Sequence, residues 1–123
     1  MVAKDTVAFA TLRAGTACGG IQSILAVYDI KDIMNPVQKA SVTLDAPKGL
    51  GYADTILYVC EPVGLKLFNV KNAYTPQYMS ELRDGVYNDV IPYGNLLFAW
   101  VDKGSIIYDI SQPAKPVKLS EIQ

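Results

Sequence analysis

Short apolar and aromatic runs alternate along this chain with clusters of turn-forming residues. "ILYVC" from Ile56 and "LLFAW" from Leu96 are compact enough to be buried strands. Each is followed by turn residues and then by a second run, "LKLFNV" from Leu65 or "SIIYDI" from Ser105. "YMSELR" from Tyr78 and "VKLSEI" from Val117 alternate apolar with polar positions, as a strand exposed on one face does. "KGLGYA" and "NDVIPY" supply one further short strand per unit. No stretch sustains the 3.6-residue period of an amphipathic helix, so the pattern predicts an all-β chain.

The runs recur with a fixed period. "VYDIKDIMNPVQK" begins at Val27, "LFNVKNAYTPQYM" at Leu67 and "IYDISQPAKPVKL" at Ile107, starts that are 40 residues apart. Tyr28, Phe68 and Tyr108 fall in step, as do Asp29, Asn69 and Asp109, then Pro36, Pro76 and Pro116. These prolines follow polar clusters and mark loop ends leading into the next strand. A repeat of about 40 residues carrying four strands has the signature of a β-propeller blade. The expected fold is therefore one partial propeller domain over residues 1–123, with units at about 1–43, 44–83 and 84–123.

The first unit departs from the period. Phe9 corresponds to Tyr58 and Phe98, but the step from Phe9 to Tyr28 is 19 residues where the later units take 10. Nine extra residues therefore fall within "RAGTACGGIQS". Only Met1 and Val2 precede the equivalent of Ala53, which predicts three strands in this unit and four in each of the others.

Composition narrows the function classes. Of 123 residues half are hydrophobic and 19% are charged, as in a folded domain. Eleven basic residues against twelve acidic ones carry no electrostatic footprint for nucleic acid. No apolar run reaches the roughly 18 residues of a membrane-spanning helix. The N-terminal "MVAKDTVAFA" does not read as a signal peptide, its apolar stretch being short and interrupted. Histidine is absent, which removes the commonest general base and metal ligand. No cofactor or metal site is expected. Two cysteines, Cys18 and Cys60, are too few for a disulfide scaffold.

The repeated aromatic–Asp–Ile–(x)–Pro pattern, with "GLGYADTILYVCEPVGLKLFNV", resembles the LVIVD-repeat family of bacterial β-propellers, in particular the C-terminal part of Bacteroidetes surface lipoproteins. The resemblance spans nearly the whole chain, and its motifs describe blade construction. It implies an exported location at the outer membrane or cell surface, and an unidentified surface ligand, protein or glycan. The family often places an acidic, Gly-rich turn where this chain has Glu61-Pro62-Val63, so cation binding is not expected there.

Propeller loops on one face surround a channel mouth, by analogy of fold the usual binding face. Arg13, Lys48, Glu61, Asn88, Asp89 and Asp102 are placed there. The extended loop after Arg13 is a candidate recognition loop or a solvated hairpin extension. Asp89 near Glu61 would make a carboxylate pair suited to proton transfer or a cation; the alternative is a turn carboxylate bonded to backbone amides. Recurrence of Asp29 and Asp109 points to a structural role, accepting backbone N–H bonds in the following loop. Tyr52, Tyr87 and Tyr93 are candidates for a stacking surface or for rim packing. Asp5-Thr6-Val7 and Asp54-Thr55-Ile56 match a short O-glycan acceptor pattern, or are simply good turns. In an oxidising compartment Cys18 and Cys60 can pair, closing a loop of about 40 residues; otherwise Cys60 packs as a small hydrophobe where the next unit has Trp100.

The favoured function is a non-catalytic binding or scaffolding propeller segment on a bacterial envelope. The alternative is part of a propeller enzyme whose channel-mouth active site draws on further blades. Two end faces, expected to be lined by Phe9, Trp100 and Tyr108, would be left bare, to be covered by remaining blades or by self-association.

Overall fold

A computed structural model describes residues 1–12 and 23–122. Its described residues form three four-stranded antiparallel sheets and no helix. The first sheet is β1 (Val2–Lys4), β2 (Val7–Leu12), β3 (Ile24–Asp29) and β4 (Val37–Thr43). The second is β5 (Leu50–Ala53), β6 (Ile56–Glu61), β7 (Gly64–Asn69) and β8 (Gln77–Leu82). The third is β9 (Tyr87–Tyr93), β10 (Leu96–Val101), β11 (Gly104–Asp109) and β12 (Val117–Ile122). Within each sheet every strand pairs with its neighbour in sequence. The sheets stack face to face in an open array.

The first sheet corrects the expected strand count. β1 is only three residues long, yet it pairs Val2 with Phe9, Ala3 with Ala8 and Lys4 with Val7. The two-residue turn Asp5-Thr6 closes this hairpin, with Asp5 at φ 54°. Asp54 and Gly94 hold the same place in the other two sheets at φ 56° and 59°. Aspartate tolerates this left-handed region better than most residues and glycine enters it freely, so a turn requirement accounts for both Asp-Thr pairs.

The repeat is built into the backbone as well as the side chains. Ladder registers shift between Val27 and Tyr28, between Leu67 and Phe68, and between Ile107 and Tyr108. Each shift is a bulge that twists the outermost strand at the same point of its sheet. The recurring polar residue does the work expected of it. Oδ1 of Asp29, Asn69 and Asp109 accepts the backbone N–H two residues on, from Lys31, Lys71 and Ser111, at 2.8–2.9 Å. That bond, then the Ser111 hydroxyl, holds the Asp109 carboxyl below its ordinary value.

Alternation along the strands gives each sheet two apolar faces. Phe9, Leu25 and Val27 of the first sheet meet Leu57, Val59 and Phe68 of the second. On its opposite face the second sheet presents Ile56, Tyr58, Cys60, Leu65 and Leu67 to the third. All six residues of β6 are buried as a result. Phe9 and Tyr108, expected on bare end faces, are instead 2% and 1% exposed inside these two cores. Their strand phase points both toward the second sheet; of the three, Trp100 alone, at 45%, lies on a bare face. β5 touches both β1 and β9, so the short first strands form one flank of the array. The last strands β4, β8 and β12 lie open to solvent on the other. No helix among the described residues is long and apolar enough to cross a membrane.

Candidate functional site

The turns at one end of the second and third sheets gather four of the nominated residues. Lys48 precedes β5, Asn88 and Asp89 open β9, and Asp102 sits in the β10–β11 turn. Lys48 and Asn88 are one period apart, and stacking the sheets brings them into contact: Lys48 Nζ donates to Asn88 Oδ1 at 2.7 Å. Asn88 Nδ2 in turn donates to Asp102 Oδ1 at 2.9 Å. The result is a cation–amide–carboxylate chain laid across two sheets.

Backbone contacts hold this chain in place. Lys48 N–H donates to the Cys60 carbonyl at 2.8 Å, and the Lys48 carbonyl accepts the Thr11 hydroxyl at 2.8 Å, which ties in the first sheet. Gly49 N–H donates to the Asn88 carbonyl at 3.1 Å. A β-carbon on Gly49 would stand 2.8 Å from the Asp89 α-carbon, closer than packing allows, so the two segments meet only because this residue lacks a side chain.

The carboxylates Glu61 and Asp89 are each committed elsewhere. Glu61 is fully buried; its Oε2 accepts the Asp45 N–H at 2.6 Å, and Lys66 Nζ stands 2.8 Å from Oε1 as an ion pair without hydrogen-bond alignment. Asp89 is exposed and lies within β9 rather than in a turn, and its Oδ1 accepts the Val90 N–H at 2.9 Å. Among the described residues no three His, Cys, Asp or Glu side chains converge as metal ligands. Arg13, Cys18 and nearly all of the extended loop lie outside the described residues. Cys60 is a free buried thiol, its pKa pushed up to about 12 chiefly by burial and then by the Asp89 carboxylate.

Beside Asp102 a cleft of about 490 Å³ opens between the turns of the second and third sheets. Pro62 and Val63 line one side, Asp84 to Val86 and Asp102-Lys103 the other. Behind it lies a polar chain that the motifs did not point to. Tyr108 Oη donates to Asp84 Oδ2 at 2.9 Å, and the Tyr87 and Tyr108 hydroxyls share a 2.5 Å bond. Burial raises the pKa of both phenols. The repeat carried a signal for this cluster: Asp84, Tyr87 and Tyr108 stand where the second unit has Leu44, Pro47 and Phe68. Asp84 and Tyr87, polar where the second unit is apolar, thus meet a tyrosine that the first unit also carries, as Tyr28. Of the candidate stacking tyrosines, Tyr87 is buried, Tyr52 stacks on Phe9 at 6.1 Å beneath Lys4, and Tyr93 is exposed.

Comparison with protein-family models, with curated proteins and with solved structures finds no match for the chain.

Proposed function

We propose that the three sheets are successive blades of a β-propeller and that the chain is a non-catalytic recognition or scaffolding segment. The blade reading is supported by a period expressed in strand pairing, bulge, turn and face-to-face packing alike. A location on a bacterial envelope rests on the family resemblance alone. The recognition reading is carried by one observation: the Lys48 ammonium is held by Asn88, which Asp102 in turn accepts from, and Asp102 lines an open cleft. An ammonium has three N–H donors, and among the described residues one of them is committed, to Asn88. A cation held in position and linked through Asn88 to the wall of a partly apolar cleft suits a peptide carbonyl or carboxylate, or the hydroxyls of a glycan.

Binding of the whole chain to peptide and glycan arrays, with Lys48→Ala and Asp102→Ala in parallel, tests this. Binding by the wild type that weakens about tenfold or more in both variants supports the proposal, since tenfold corresponds to one charge-assisted hydrogen bond. A silent wild type, or variants that bind as well as it does, overturns it.

A further inference from the structure

The two end faces of the array differ from each other in the same way as the two faces that meet inside it. On the first sheet the outward face carries Ala8, Ala10 and Leu12 of β2, the two alanines recessed at 4% and 6% exposure, at the positions that in the second sheet are Leu57, Val59 and Glu61. That second-sheet face packs against the sheet before it. On the third sheet the bare face presents Leu96, Phe98 and Trp100 of β10, where the second sheet has Ile56, Tyr58 and Cys60. This other face packs against the sheet after it. The internal interfaces therefore run head to tail, and among the described residues one face of each kind has no sheet packed on it.

Shape and polarity support a match between the two. Ala8 and Ala10 form the floor of a groove of about 470 Å³, walled by Met1, Leu12, Tyr28 and Ile33, with no charged residue lining it among the described residues. Its floor is smaller than the Leu57-Val59 floor of the second sheet. The opposite face is bulkier than its internal counterparts, with Trp100 where the first and second sheets have Thr11 and Cys60. The excess volume on one face corresponds to the missing volume on the other, as close packing requires.

We infer that the chain associates head to tail with a second copy of itself, the Phe98–Trp100 face of one seated in the Ala8–Ala10 groove of the other. The inference shares with the proposed function only the reading of the sheets as successive repeats, and it does not involve the Lys48 cluster. A heterologous contact of this kind either closes into a ring or grows into a chain of copies. Trp100, the sole tryptophan, reports directly on the event.

Sedimentation over a dilution series tests it, with Ala10→Arg blocking the groove and Trp100→Glu blocking the other face. Tyr28→Glu and Ser105→Arg serve as second variants for the two faces, and circular dichroism checks that each one folds. The wild type is expected to associate, with Trp100 emission shifting to the blue as concentration rises. Each variant alone is expected to be monomeric, and an equimolar mixture of one from each face to form a dimer, because one intact interface remains. A monomeric wild type overturns the inference. So does a single-face variant that still associates on its own, since pairing through like faces or through the β4 and β12 edges would then be operating. A mixture that stays monomeric overturns it as well. Unchanged association in Lys48→Ala separates this result from the recognition reading.

Discussion

The two cores between sheets share an architecture but differ in chemistry. The buried residues of the core between the first and second sheets, among them Phe9, Leu25, Val59 and Phe68, carry no hydroxyl or thiol. The core between the second and third sheets buries Tyr58, Cys60, Tyr87 and Tyr108. There the Tyr58 hydroxyl donates to the Pro113 carbonyl at 2.7 Å, and the Tyr87–Tyr108 pair leads out to Asp84. One repeat thus tolerates a packed cluster of hydrocarbon side chains, with the buried Glu61–Lys66 pair on the same side of the second sheet, and a cluster that is itself hydrogen-bonded. What it demands is volume and strand phase. The three hydroxyls are admitted where each finds a partner, because a buried hydroxyl without one costs about 1–3 kcal/mol.

Alkaline pH should separate the two cores most strongly. Cys60 ionises at about 12 in the folded chain against an ordinary value of 9.0, and burial also raises Tyr58, Tyr87 and Tyr108 above their ordinary 10.0. The folded state then holds protons that the unfolded chain gives up. Stability from these groups is complete below about pH 9 and is lost as pH rises beyond it. Urea midpoints measured from about pH 8 to about pH 11 should fall steadily above the lower pKa range. Tyr58→Phe, which copies Phe98 of the third sheet, should fall less steeply. A flat profile would show that these groups are not held neutral by the second core.

How much of this was legible in the sequence follows from what a period can encode. The period gave strand order, the turns at Asp5, Asp54 and Gly94, and the bonds made by Asp29 and Asp109, because each depends on residues close in the chain. It also placed Lys48 and Asn88 one period apart, though their contact needs the sheets to stack. β1 was missed because three residues carry too little pattern; its strand geometry depends on the Asp5 turn and on β5 beside it. Phe9 and Tyr108 were expected on bare faces because alternation shows that a strand has two faces without showing which neighbour covers each. Asp89 and Glu61 were linked by their place near one rim, but Glu61 turns inward to Lys66 and Asp45.

The Glu61–Lys66 pair offers a smaller test, on the first core's side of the second sheet. The equivalent positions in the third sheet are Val101 and Ile106. Lys66→Ile alone leaves Glu61 buried without its cation and should cost about 3 kcal/mol in chemical unfolding. The double change Glu61→Val with Lys66→Ile should return stability to within about 1 kcal/mol of wild type, since an apolar pair can replace a buried ion pair at little cost. Asp45 is exposed, so water can take over its N–H. If the double variant is as unstable as the single one, the pair is needed to fix the interface, and the cores are less interchangeable than their shared repeat suggests.

The smallest effect is expected outside both cores, at the β9–β10 turn. Gly94 has φ 59°, and a β-carbon there would meet nothing within 4 Å. Two aspartates already occupy this position in the other sheets at nearly the same angle. Aspartate in the left-handed region can bond its own backbone locally, and its side chain restricts the unfolded chain more than glycine does; these gains offset the steric strain of positive φ. Gly94→Asp should therefore move the unfolding free energy by no more than about 0.5 kcal/mol. Gly94→Val should cost about 1–2 kcal/mol, because a β-branched residue has no compensating bond at this angle. Equal losses in the two variants would mean that the third turn differs from the first two, and that the repeat fails at an exposed connection. Equal tolerance of both would mean that the backbone relaxes out of the left-handed region, leaving the hairpin to be held by its strands.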